Sequence, residues 1–300
     1  MTELERANPR TPARRSRGRL VDEVTQLWVR ATGRKVDPRE APWLVGPVGD
    51  VLGVGASFFD EWAARHGLRI LPPEDSPGLL TRFTALAGPG FDPQVVSPAI
   101  AAFYERTTAW ELRIVPRWRG LFRPLGWLIS RLFSRRLAQL NLPLSSSDVD
   151  GGVRSRIVAL VDPDSGERRH TGWVRTSGGT GLPLFVGDYG TAIIPGCADP
   201  CVRVVFPLPH GNAVIALRPV AQGEGFALVS DGKRFGDPGF YFTVQRPDGL
   251  AVRYVRTMKE RLEIRTDGDG LRAEHRFAVF GLEFLRLEYT ITRKPPTAAA

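Results

Sequence analysis

Three ionisable residues, Arg256, Glu260 and His275, interrupt an otherwise apolar pattern near the end of the sequence. The chain around them, Val252–Phe280, alternates between apolar and polar residues with a period of two, as a half-buried strand does. Its centre, Gly268-Asp269, is typical of a two-residue hairpin turn. The pattern therefore predicts an antiparallel hairpin that carries ionisable groups on its apolar face.

The register of this hairpin follows from its centre. Leu262 is expected opposite His275, and Glu260 opposite Phe277, so that Glu260 and His275 are diagonal neighbours within reach of each other. If the face is sealed in the core, these groups must satisfy one another. If it lines a cavity, they are candidate binding groups. Both interpretations remain open at the level of sequence.

The cavity interpretation assigns a role to each neighbouring side chain. We predict a ligand site formed by Arg256, Glu260, His275, Tyr254 and Met258, in which Arg256 anchors an anionic head group and the other side chains hold a hydrophobic or amphipathic small molecule or lipid. An alternative is an enzyme in which the Glu260 and His275 side chains act as an acid–base pair. The absence of any recognised catalytic motif favours the binding protein over the enzyme.

The elements that position this face belong to a β-rich C-terminal half. Ten segments of alternating polarity lie between Val153 and Arg293, joined by Gly-, Asn- and Asp-containing turns. The predicted strands are Val153–Val161, Arg168–Thr176, Leu184–Ile194, Cys201–Pro207, Ala213–Pro219, Phe226–Val229, Phe240–Arg246, Val252–Thr266, Leu271–Phe280 and Leu282–Arg293. In the preceding part of the chain, a helix is predicted from Ser57 to His66, with Ser57 as N-cap and Gly67 as stop. We expect an α+β protein with a helical N-terminal part packed on a curved antiparallel β-sheet or partly open barrel. The predicted regions are a disordered basic tail (1–19), a helical N-terminal region (20–147), an antiparallel β domain (148–294) and a disordered tail (295–300).

The segment 116–142 combines leucines on one helical face with arginines on the other. A basic amphipathic helix with aromatic anchors can lie on an anionic membrane surface, but a helix packed on a sheet has the same pattern. An alternative function is therefore a module that uses this helix to dock on a membrane surface or on a partner protein. Its candidate residues are Trp118, Arg123, Trp127, Arg131 and Arg135.

The distribution of positive charge along the chain does not indicate a nucleic-acid partner. The formal net charge is +9, and residues 1–19 alone contribute +4 through six arginines in a Pro-rich tail without apolar periodicity. No N-terminal apolar segment resembles a signal peptide, and no apolar run is long enough to span a bilayer. We expect a cytoplasmic protein, with peripheral membrane association as the alternative.

The two cysteines, Cys197 and Cys201, lack the nearby histidine or second pair that a zinc site needs, and no other spacing indicates a metal or cofactor. On an extended strand they would lie about 13 Å apart, too far for a disulfide. We therefore expect reduced, partly buried thiols. Asp188 and Asp199 are expected to lie in glycine-rich loops, where aspartates usually form turns.

Two short motifs resemble those of other proteins. Phe103-Tyr104-Glu105-Arg106-Thr107 and Gln139-Leu140-Asn141-Leu142-Pro143 are similar to a group of uncharacterised actinobacterial proteins of unknown function, which implies a cytoplasmic bacterial protein and no particular catalytic residue. The β-rich half more loosely resembles START-like lipid carriers, in which a curved antiparallel sheet encloses a cavity. The chain departs from that pattern because it ends on a strand, Leu282–Arg293, and not on a long helix.

Overall fold

The computed structural model describes residues 23–49, 54–72, 75, 77–119, 153–179, 181 and 183–295. Residues 23–32 are helical (α1), and two further α-helices are Phe58–His66 (α2) and Pro98–Glu105 (α3). Short 3-10 turns lie at Pro42–Leu44, Phe83–Leu86, Pro93–Val95 and Thr107–Ala109. The rest of the described structure is largely extended.

Fourteen strands form one sheet within the described residues. They are β1 (Arg34–Val36), β2 (Arg69–Ile70), β3 (Trp110–Trp118), β4 (Val153–Val161), β5 (Arg168–Ser177), β6 (Pro183–Ala192), β7 (Cys201–Leu208), β8 (Gly211–Gln222), β9 (Gly225–Val229), β10 (Gly239–Arg246), β11 (Gly249–Tyr254), β12 (Met258–Asp267), β13 (Gly270–Val279) and β14 (Leu282–Arg293). Nine of the ten strands predicted from the sequence correspond to β4–β10, β13 and β14, with bounds that differ by at most three residues.

All pairings between these strands are antiparallel, and their order is β2-β4-β5-β6-β7-β8-β9-β12-β13-β14-β3. The first half of β8 also pairs with β10, which continues through β11 to β1. The strands at the two ends of the order, β2 and β3, do not pair with each other, so the sheet is curved but not closed. Its curvature brings β5 opposite β14, where Arg175 lies 5.7 Å from the Tyr289 ring. The expected curved antiparallel sheet is confirmed.

Both faces of the sheet are covered, which explains why β8 is buried along most of its length. Ile215 and Leu217 point to the inner, concave side, while Val214 and Ala216 pack on the outer side against Trp43. Helix α2 covers a second outer area. There a Cβ added to Gly172 would lie 2.3 Å from the Phe59 ring, so the helix rests directly on sheet backbone.

Helix α3 closes one end of the concave side. Tyr104 packs on Phe226 of β9, and Glu105 accepts a hydrogen bond from the Phe83 backbone N–H at 2.6 Å. The Thr107 hydroxyl accepts from the Leu79 backbone N–H and donates to the Phe103 carbonyl. The first of the two short motifs thus ties α3 to the preceding segment. The second motif, residues 139–143, lies outside the described residues.

Two sequence predictions require correction. Val252–Thr266 is not one strand, because a tight turn closed by the Met258 N–H and the Val255 carbonyl separates β11 from β12. The N-terminal region is not purely helical, since β1, β2 and β3 all join the sheet. Strand β3 alternates strictly between buried and exposed residues over its first six positions. Pro116 is tolerated there because, among the described strands, β3 pairs only with β14.

Candidate functional site

Glu260 and His275 meet on the concave side of the sheet. The β12–β13 register pairs Glu260 with Phe277 and Leu262 with His275, as expected from the turn at Gly268-Asp269. Glu260 Oε2 lies 2.9 Å from His275 Nε2. The backbone of Glu260 is held by Ser230, whose hydroxyl accepts from the Glu260 N–H at 2.7 Å. The predicted contact between these two side chains is therefore present, and the strands that form it are fixed on both sides.

A cavity of about 310 Å³ occupies the concave side, and Glu260 and His275 line it. At one end it is closed by Leu79, Phe103 and Tyr104 from α3 and the segment before it. Trp118 and Val153, the residues next to the undescribed stretch 120–152, line it as well, with Phe284 packed on Trp118. Most of the wall is aliphatic or aromatic. Ligand sites of this size and composition are common in proteins.

Arg175 is a third charged residue in this wall, and the sequence pattern did not single it out. It lies on β5, is only 7% exposed, and places its guanidinium 3.5 Å from the centre of the Trp173 ring. Among the described residues, the pairs with a buried carboxylate join Asp188 to Arg203 and His170, and Glu260 to His275, and none involves Arg175. The Arg175 cation is thus held by aromatic rings and by a hydrogen bond to Tyr289, without a carboxylate partner.

Three buried polar atoms in the cavity wall lack a hydrogen-bond partner among the described residues: Trp118 Nε1, Arg175 Nε and Glu260 Oε1. Glu260 is 4% exposed, so water in the surrounding bulk does not satisfy its second oxygen. An unsatisfied buried group of this kind costs about 1–3 kcal/mol, and more when it is charged. This cost is a sizeable fraction of the usual stability of a domain.

Three tyrosines complete the polar part of the wall. Burial raises the pKa of Tyr104, Tyr189 and Tyr289, and the Arg175 cation opposes that rise for Tyr189 and Tyr289. The Glu260 charge adds to the rise in pKa of the same two tyrosines. Arg175, Glu260, Tyr189 and Tyr289 therefore lie close enough to interact electrostatically. At neutral pH the phenols are protonated and can donate hydrogen bonds.

The remaining predicted site residues separate into two groups. Met258 lines the cavity, as expected. Tyr254 and Arg256 do not, because the turn between β11 and β12 rotates them away: Tyr254 packs on Tyr241 at the outer face, and Arg256 is exposed. The prediction that Arg256 lies on the face of Glu260 is therefore wrong, and Arg175 is the arginine found there.

Of the predicted membrane-surface residues, only Trp118 lies within the described structure. It is half-buried at the end of β3, lines the cavity, and its indole Nε1 has no hydrogen-bond partner. Arg123, Trp127, Arg131 and Arg135 lie outside the described residues.

A second buried ionic cluster lies on the outer face of the sheet. Asp188 accepts hydrogen bonds from the Thr171 N–H and from Arg203, and lies 3.1 Å from His170 Nδ1. Asp188 is part of β6 and not of a loop, contrary to expectation. Each Asp188 carboxylate oxygen has a partner, although Arg203 Nε has none among the described residues. No residue of the cluster lines the cavity, so the cluster is a structural group.

The two thiols are free, as expected, but they are not far apart. The chain folds back through Asp199-Pro200, and a hydrogen bond from Cys201 lowers the pKa of Cys197 to about 7. Asp199 is buried and accepts from the Gly90 N–H at 2.6 Å, which is a structural contact. In the described part of the chain, no group of three His, Cys, Asp or Glu side chains is arranged to hold a metal ion.

The fold and the site together define a protein with a large curved antiparallel sheet around an apolar cavity that contains three charged or ionisable side chains. The chain is similar to the uncharacterized membrane protein YndJ of Bacillus subtilis, with 28% identity over 219 residues. That similarity covers 72% of this chain and 38% of YndJ, so the chain spans well under half the length of this relative. No family model and no solved structure matches the chain. In the part that the structure describes, no helix has both the length and the apolar character needed to cross a bilayer.

Proposed function

We propose that this protein binds a hydrophobic or amphipathic small molecule in the cavity on the concave side of its sheet. The observation that carries the proposal is the cavity itself: about 310 Å³ on the concave side of the sheet, with a largely apolar wall and three buried polar atoms that lack a partner among the described residues. A protein that needed only a stable core would gain by filling this space with larger side chains. A ligand with an apolar body and at least one polar group would occupy the volume and satisfy the polar atoms.

Native mass spectrometry of the full chain, purified without detergent, tests the proposal directly. We expect a bound molecule in the wild type that is lost in Ala273→Phe. Ala273 is buried on β13 and lines the cavity, so a phenyl group there fills the space and removes no polar atom. The matched control is Ala278→Phe on the same strand, outside the cavity wall, which should retain the ligand. Equal ligand content in all three proteins would contradict the proposal.

A second candidate function is an enzyme that uses Glu260 and His275 as an acid–base pair. The specific observation in its favour is the 2.9 Å contact between Glu260 Oε2 and His275 Nε2 beside an open volume. A carboxylate that orients an imidazole is a common arrangement for proton transfer.

The two functions differ in whether the bound molecule changes. Wild-type protein and Glu260→Gln would be incubated with a bacterial lipid extract, and the extract compared before and after by mass spectrometry. An enzyme converts at least one compound with the wild type and not with the variant, whereas a binding protein leaves the extract unchanged. Conversion by both proteins would exclude Glu260 as the base.

A further inference from the structure

We infer that the ligand of this cavity carries a single carboxylate-type negative charge and that Arg175 holds it; this inference rests on the proposed binding function. The starting point is the partners of the two buried charged groups. Glu260 Oε2 contacts His275 Nε2 at 2.9 Å, while Arg175 forms no ion pair with any carboxylate of the described residues. The buried guanidinium therefore lacks an anionic acceptor.

The geometry of Arg175 favours a planar anion. Its guanidinium carbon lies 3.5 Å from the centre of the Trp173 ring, which limits the positions the group can take, and its Nε is a buried donor without an acceptor among the described residues. A carboxylate can accept two parallel hydrogen bonds from such a fork. Tyr289, already hydrogen-bonded to Arg175, and Tyr189 lie near enough to supply further phenol donors.

The charge of the ligand is limited to one by Glu260. Its carboxylate interacts electrostatically with the same two tyrosines as Arg175, so it lies near the head-group position and would repel a doubly charged group such as a phosphate monoester. The rest of the wall consists of apolar side chains such as Ile215, Phe240 and Leu228, which suit a hydrocarbon tail. The ligand class is thus a monocarboxylate amphiphile.

Binding of three matched probes to the full-length protein tests this inference: dodecanoate, dodecan-1-ol and dodecyltrimethylammonium, measured by calorimetry below their micelle concentrations. In the wild type, dodecanoate should bind about tenfold or more tightly than the alcohol, and the cation should bind most weakly. In Arg175→Met the affinity for dodecanoate should fall about tenfold or more, while that for dodecan-1-ol stays within about threefold. Arg175→Lys keeps the charge but not the fork, so its affinity for dodecanoate should be intermediate.

The matched control is Arg203→Met, which also removes a buried guanidinium but from the outer face, where it pairs with Asp188. It should leave the ratio of dodecanoate to dodecan-1-ol affinity unchanged. If Arg203→Met does not fold, Arg218→Met, at an ion pair with Asp231 outside the cavity wall, takes its place.

The outcomes distinguish a failure of the carboxylate inference from a failure of the proposed binding function. Equal binding of the acid and the alcohol by the wild type, or an undiminished preference for the acid in Arg175→Met, overturns the inference and leaves the proposed function standing. Failure of all three probes to bind the wild type overturns both. If Arg175→Met does not fold, the decision passes to Arg175→Lys, where an unchanged affinity for dodecanoate also overturns the inference.

Discussion

Arg175 and Arg203 are buried arginines whose removal should have opposite consequences for stability. Arg203 forms an ion pair with Asp188 at 3.2 Å, and the Asp188 side chain is 1% exposed. Replacing Arg203 by methionine leaves the Asp188 carboxylate without this guanidinium partner. Breaking a buried pair in this way costs about 3–5 kcal/mol.

In the described part of the chain, Arg175 pairs with no carboxylate that its removal would leave behind. Arg175→Met loses a hydrogen bond to Tyr289, about 1 kcal/mol, and a cation–π contact with Trp173 worth about 1–2 kcal/mol. It also removes the penalty for burying a guanidinium, which is several kcal/mol. The ligand-free variant should therefore be at least as stable as the wild type, to within about 1 kcal/mol.

Thermal unfolding followed by circular dichroism, after ligand removal, measures the difference. A gap of about 3 kcal/mol between the variants corresponds to a difference in Tm of about 6–12 °C for a domain of this size. Arg203→Met should be the lower of the two. If Arg175→Met is destabilised as much as Arg203→Met, then Arg175 is compensated within the protein, and the charge argument for an anionic ligand fails.

Three further predictions concern the scaffold. Phe280 is 79% exposed with φ of 51° in the turn between β13 and β14, so Phe280→Asn should raise the free energy of unfolding by about 0.5–1 kcal/mol in urea titrations, and a decrease would contradict the strain argument. The alkylation rate of Cys197 by iodoacetamide should rise with a midpoint near pH 7, because its pKa is lowered to about 7 and the thiolate is the nucleophile. In Cys201→Ala that midpoint should move to higher pH, since the hydrogen bond is lost; an unchanged midpoint would exclude Cys201 as the cause. Gly172→Ala should destabilise the protein by about 1–3 kcal/mol, because the new methyl group meets the Phe59 ring, and unchanged stability would show that α2 can shift.

The register of the last hairpin shows how far local sequence information reaches. A two-residue turn at Gly268-Asp269 and a strict period of two are sufficient to pair Glu260 with Phe277, because strand geometry leaves no freedom once the centre is known. The same local rules placed nine strands correctly and located α2 between Ser57 and Gly67. Their error came at Val255–Met258, where a turn without glycine or proline interrupts the strand and leaves Arg256 exposed outside the site.

What the sequence determined by itself is nine of the fourteen described strands, with their approximate bounds, and the face shared by Glu260 and His275, since each depends on residues close in the chain. Only the tertiary structure decided that this face encloses a cavity, because the curvature of the sheet results from the pairing of all its strands. It also decided that Arg175, some 85 residues before Glu260, is the cation of the site. Arg175 lies two residues after Trp173, so both side chains are on one face of β5. The strand that lies opposite this face is decided by the long-range pairing of the whole sheet.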